Sequence, residues 1–235
     1  MLFLAPMALA VPITGPVWHV NGSTLGSGKS EGVTGALLPM TEAKMFGEIS
    51  SVKFRVNCKE QNFNGSAVIT GPKSGSGTLE FAGCVLFIKS GSEYISHPEC
   101  EIKPAKGKVK AELWYEGTFA EASENIMLIF SPASGEPKMM AFEVVATTKE
   151  KSCLYAGTYW NEGDIGAKVS PREEEVLSGS LTSFTAASYS GYRPIVPGSW
   201  EEITITPKFA GAPSKLEAAG TAKLISGNHF GVWQS

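Results

Sequence analysis

Between Ser51 and Cys84 the sequence alternates. Val52, Phe54, Val56 and Cys58 are separated by Lys53, Arg55 and Asn57, and Leu79 and Phe81 are flanked by Thr78 and Glu80. Successive side chains of a strand point to opposite faces, so a period of two marks strands with one buried face each. The pattern predicts two such strands, each ending at a cysteine, with Gly83 turning the chain at Cys84. Together they form the inner wall of an all-β domain.

The rest of the chain continues in the same manner. Val17 to Val20 reads as a short strand running into an Asn21-Gly22 turn. Val85-Leu-Phe-Ile88 is a continuous apolar run suited to a central strand. Further strands are expected at 108–116, with Val109, Ala111, Leu113 and Tyr115 on one face, and at 126–130, 140–147, 154–160, 165–169, 203–205 and 222–225, with 230–233 as a closing edge. Twenty-six glycines and fourteen prolines supply the turns. The best helical window, Pro39 to Ile49, has weak periodicity and no caps. The expected fold is therefore all-β with little helix: an antiparallel β-sandwich of one or two closely packed units. Lys103-Pro-Ala-Lys-Gly107 divides 11–103 from 104–235, unless the two form one continuous domain.

Residues 1–10 are apolar and end in Ala8-Leu9-Ala10, the small-residue pattern of a signal-peptide cleavage site after Ala10. The basic leader is missing, so the stretch reads as a signal remnant whose start lies upstream; the alternative is a buried first strand or an apolar end. It is too short for a transmembrane span, which takes about 20 apolar residues. Four cysteines fit two disulfides in an exported protein, with free buried thiols as the alternative. Of the three pairings, Cys84–Cys100 with Cys58–Cys153 is preferred, because the first closes a local excursion after a strand. A formal charge of −3 gives no basic stripe for nucleic acid and no polybasic cluster for an anionic membrane.

Recognisable catalytic chemistry is sparse. Gly26-Ser-Gly28-Lys29-Ser30 is not a phosphate loop, since Ser23 stands where the first glycine is required and no strand–helix context surrounds it. His19, His97 and His229 lack metal-ligand spacing, there is no Gly-x-Ser-x-Gly elbow, and Asp164 is the sole aspartate. Neither an enzyme nor a cofactor is expected. The aromatic residues of the last third, above all Tyr159, Trp160, Tyr192 and Trp200, are candidate ligand contacts, because exposed rings offer flat apolar faces to sugars or partner side chains. Filling the core is their alternative role.

Several short segments carry a resemblance: Trp18-x-x-Asn21-Gly22-x-x-Leu25 with Gly28, Cys58-Lys59, and Phe81-Ala-Gly-Cys84 in the first half. Cys153-Leu-Tyr-Ala-Gly157-Thr-Tyr-Trp-Asn-Glu-Gly163, Val169-Ser-Pro171 and Leu224-Ile-Ser-Gly227-Asn-His-Phe230-Gly-Val232 follow in the second. Over nearly the whole chain these are similar to uncharacterised exported proteins of soil actinobacteria of the Solirubrobacter and Thermoleophilum kind. The resemblance implies export and an all-β fold, and supplies no activity and no catalytic residues. Such chains often carry further cysteines in the 140s, where this one has Glu143-Val-Val, which leaves the partner of Cys153 open.

The expectation is an exported, non-enzymatic binding or structural module of the cell envelope or extracellular space, with a cell-surface glycan or envelope protein as partner. The alternatives are a secreted hydrolase whose His and Glu site assembles only in three dimensions, or a phage or virion surface protein.

Overall fold

The computed structural model describes residues 15–63, 66–117, 125–133, 138–183, 188–196 and 199–234. The segment 1–10, read above as a signal remnant, lies outside them. The described residues form strands and connecting turns, with no helix among them.

In chain order the first strands are β1 (Pro16–Val20), β2 (Ser23–Thr24), β3 (Ser30–Leu37), β4 (Ala43–Ile49), β5 (Val52–Phe63), β6 (Ala67–Thr70) and β7 (Ser74–Ser90). Next come β8 (Glu93–Ile102), β9 (Ala105–Glu116), β10 (Ile126–Pro132), β11 (Met140–Ala146), β12 (Gly157–Glu162), β13 (Ile165–Ser170) and β14 (Gly179–Ser183). The last are β15 (Tyr189–Val196), β16 (Ser199–Ile205), β17 (Lys208–Phe209), β18 (Ala212–Pro213), β19 (Lys215–Glu217), β20 (Ala219–Leu224) and β21 (Phe230–Gln234).

Eight of these close into an antiparallel barrel in the order β3–β6–β7–β9–β10–β13–β14–β20, with β20 returning to β3. Its interior is filled by inward side chains such as Phe63, Leu79, Val109, Leu128 and Phe130. One end is plugged by the separate sheet β2–β1–β21, which places Trp18 against the interior with its indole N–H donating to the Ser74 carbonyl at 3.0 Å. On the outside, the β15–β16 hairpin brings Ile205 over Trp114, Met127 and Ile129. Both faces of β10 are therefore covered, which is why Ile126-Met-Leu-Ile-Phe130 is buried without a break.

An antiparallel sandwich was expected; a closed barrel with additional strands is found. Both architectures alternate inward and outward residues, so the pattern does not separate them. What closes the barrel is the pairing of β20 with β3, two strands at opposite ends of the sequence.

A second sheet runs β19–β4–β5–β7–β8–β11–β12–β17–β18, and it curls until β17 and β18 approach β4. It shares β7 with the barrel: β5 and the barrel strand β6 pair along one side of β7, and β8 and the barrel strand β9 along the other. The 103/104 break falls between β8 and β9, both of which are paired to β7, so these two interiors are not successive stretches of chain. The window Pro39–Ile49, weighed as a helix, contains strand β4: Ala43, Met45 and Gly47 are buried and alternate with more exposed neighbours, and pairing on both sides overrides the local propensity.

Gly83 does not turn the chain. β7 runs through it to Ser90, and β5 likewise continues past Cys58 to Phe63. At this level the inward set changes phase. On β5 it passes from Val56 and Cys58 to Gln61 and Phe63, and on β7 from Leu79 and Phe81 to Leu86 and Ile88. Gly83 supplies the left-handed residue at that point, at φ 61°.

The cysteine pairing also differs from the preferred one: Cys58 bonds Cys84, and Cys100 bonds Cys153. Cys58 and Cys84 stand directly opposite each other on β5 and β7, so the strand register selects the pair. In the chain-entropy model, loops of 26 and 53 residues correspond to about 3.5 and about 4 kcal/mol. Two disulfides fit folding in an oxidising compartment.

Where β11 begins, the chain passes directly over β9. A Cβ built on Gly107 would lie 1.7 Å from the Met139 carbonyl oxygen, a backbone atom that cannot swing aside. Gly107→Ala is therefore expected to lower stability by about 2 kcal/mol or more, read as a shift of the urea midpoint.

Candidate functional site

The second sheet encloses a cavity of about 240 Å³. Its walls follow from the strand alternation noted in the sequence. β5 contributes Val52, Phe54 and Val56, and the paired β7 contributes Leu86 and Ile88. Phe142 and Val144 of β11, Tyr159 of β12 and Phe209 of β17 complete it. Phe54 packs on Phe209 at 5.0 Å between ring centroids, and Phe142 on Phe209 at 5.5 Å. Phe54 lies opposite Gly47 of β4, and only a glycine leaves room for its ring, since a Cβ there would meet it at 2.4 Å. Behind Phe142 stands Phe81, fully buried, within the one hydrophobic cluster that continues from this space into the barrel.

The mouth is built from two turns. Ile49 and Val52 face each other across a two-residue hairpin whose central residues, Ser50 and Ser51, have φ of 47° and 68°. The other lip is the segment after Cys153, which carries Leu154 and Tyr155. The Cys100 disulfide anchors this segment to β8, and the Thr147 N–H and hydroxyl donate to the carbonyls of Glu99 (2.9 Å) and Pro98 (2.8 Å). The Tyr159 hydroxyl donates to the Tyr155 carbonyl at 2.7 Å, so the phenol on the wall is satisfied, and burial raises its pKa. Leu154 is held at the mouth while 87% exposed. Among the described residues no carboxylate, imidazole or thiol lines the cavity.

Beside the lip, the imidazole of His97 is hydrogen-bonded to Glu99 at 2.7 Å and meets the Tyr155 ring edge-on at 5.1 Å. That hydrogen bond, together with one from the Glu99 backbone, holds the Glu99 carboxyl below the usual range. Among the described residues no serine, threonine or cysteine is hydrogen-bonded to His97. His19 bonds Thr24 and stacks on Trp233, and His229 is exposed in its turn. The described residues contain no cluster of three or more His, Cys, Asp or Glu side chains able to hold a metal ion, and no helix long and apolar enough to cross a membrane.

The four aromatic candidates do not share a face. Tyr159 points into the cavity. Trp160, its neighbour on β12, faces the other way, with Lys138 Nζ 3.7 Å over its ring and Glu162 accepting from its indole N–H. Tyr192 and Trp200 belong to a cluster with Tyr115 near the C-terminal end of β9; Tyr192 stacks on Tyr115 at 5.3 Å, and Trp200 lies 5.4 Å from Tyr115. Sequence reasoning missed Phe142, Val144 and Phe209 as one wall, because their strands pair across long separations. Leu154 carried a signal: it is apolar, follows a cysteine, and ends a polar run from Thr147 to Ser152.

No protein-family model matches the chain, and no curated protein or solved structure gives a significant match.

Burial pushes the Tyr115 phenol up to about 12, with Tyr192 and Glu173 adding to the shift, and burial also raises Tyr189. A folded-state pKa above the unfolded value of about 10 favours the unfolded chain once its phenols ionise. Stability is thus expected to hold in full below pH about 10 and to be lost as pH rises toward about 12. Phenolate absorbance should appear together with loss of the folded circular dichroism spectrum.

Proposed function

We propose that the chain is an exported, non-enzymatic binding module of the cell envelope or extracellular space, and that its ligand site is the apolar cavity of the second sheet. The observation that supports this is the cavity itself: about 240 Å³ of apolar space that reaches the surface beside an exposed leucine. A void of about 150 Å³ is enough to admit benzene. Two disulfides support the export reading, and the resemblance to exported actinobacterial proteins agrees with it. A cell-surface glycan as ligand has less support, because Tyr159, Trp160, Tyr192 and Trp200 form no common exposed platform.

The second reading is a secreted hydrolase, favoured by the His97–Glu99 pair at the lip. It lacks a nucleophile bonded to the imidazole. Ester turnover abolished by His97→Ala would bring it forward.

The test is binding of anilinonaphthalene sulfonate by the oxidised protein, read as fluorescence enhancement. Val144→Phe, which fills the cavity from its wall, should weaken the dye by about tenfold or more with the circular dichroism spectrum retained. Trp160→Ala should leave dye binding unchanged. Wild-type protein that fails to enhance the dye refutes the cavity as a ligand site.

A further inference from the structure

Resting on the cavity reading, we infer that the ligand is the aliphatic tail of a single-chain amphiphile, taken methyl end first from a lipid surface, with its polar end left in water at the mouth. Three observations carry this.

The first is shape. The inward residues of β5 that line the cavity run from Val52 at the mouth to Val56, four residues or about 13 Å of strand. That depth is close to one leaflet's share of a hydrocarbon core about 30 Å thick. An extended chain of methylenes can lie along an apolar wall of that length.

The second is the wall. Polar atoms are confined to Ser50 at the rim and to the two tyrosine hydroxyls, of which that of Tyr159 already donates to a carbonyl. Nothing along the depth asks for a polar group on the ligand.

The third is the rim. Six large apolar side chains are exposed among the described residues, and three of them belong to this end. Leu154 is 87% exposed and Val52 39% exposed, and both line the mouth. Ile95, 52% exposed, stands opposite Ile88 in the β7–β8 ladder, and residues opposite each other share a face. In water such a collar is unfavourable, and against a lipid surface it is not. Around the mouth it continues the apolar wall outward, interrupted by Ser50 at the rim. The charges nearest the turn, Lys53 and Glu48, are exposed and 3.9 Å apart, and offer no concentrated site for a particular headgroup.

The experiment uses the full oxidised chain and displacement of bound anilinonaphthalene sulfonate by unbranched saturated fatty acids of increasing length. Each added methylene should lower the dissociation constant about fourfold until the tail reaches the floor, after which the series flattens. Val144→Phe should move the flattening point to shorter chains. A dye displaced equally well by short and long acids, or better by a compact cage alcohol than by any linear tail, overturns the tail assignment and leaves the cavity reading standing. Failure of the dye itself to bind overturns both. The source is tested by transfer of a fluorescent fatty acid from phosphatidylcholine vesicles. Leu154→Ser combined with Ile95→Ser should slow transfer by about threefold or more while the affinity for the free acid changes less. Transfer unaffected by the double variant overturns uptake from a lipid surface.

Discussion

The ladder between β5 and β7 is the constraint on which both interiors depend. β7 extends over 17 residues, far beyond a usual strand, and is paired on both sides for most of its length. Backbone groups leaving water need partners along all of that distance. β5 and then β6 supply them on one side, and β8 and then β9 on the other. The change of phase at Gly83 lets one long ladder serve two cores: inward residues below it fill the barrel, and those above it line the second sheet. The Cys58–Cys84 bond fixes the register immediately beside that point.

The two interiors are supported differently. The barrel is crowded with aromatic and branched side chains, and it contains no cross-link. The second sheet holds the larger apolar cavity, and both disulfides lie in it or tie into it. Packing that is missing around an open space weakens a fold, and a cross-link restricting the unfolded chain offsets part of that loss. The Cys100–Cys153 bond also fixes the lip, keeping Leu154 in water where side-chain burial alone would not. Placement of the cross-links and placement of the cavity therefore go together.

Much of the fold was legible in the residues. The alternation at Val52–Cys58 and at Leu79–Phe81, the apolar run at 126–130 and the Asn21-Gly22 turn all correspond to strands or turns of the structure. Barrel closure was not legible, because the pairing of β20 with β3 is a long-range contact that local period cannot encode. The cysteine partners were hidden for a related reason: the register that sets Cys58 against Cys84 depends on β5 and β7 continuing past residues read as their ends. Of the residues lining the cavity, only Tyr159 was among the aromatic candidates read from the sequence. Phe54 and Val56 were correctly seen as a buried face, whereas Val52, on the same face, is exposed at the mouth; a buried face does not reveal whether the space before it is filled. Trp160, Tyr192 and Trp200 are polar-tipped rings that found partners elsewhere, which composition cannot foretell.

Strands shared between two compartments have a consequence for how such a chain can change. Neither the barrel nor the cavity-bearing unit corresponds to a contiguous stretch of sequence, so neither can be excised, duplicated or swapped by a single recombination event. A lineage of these proteins would instead vary the rim of the cavity through the hairpin at Ser50-Ser51 and the cystine-anchored lip, leaving the shared strands nearly untouched.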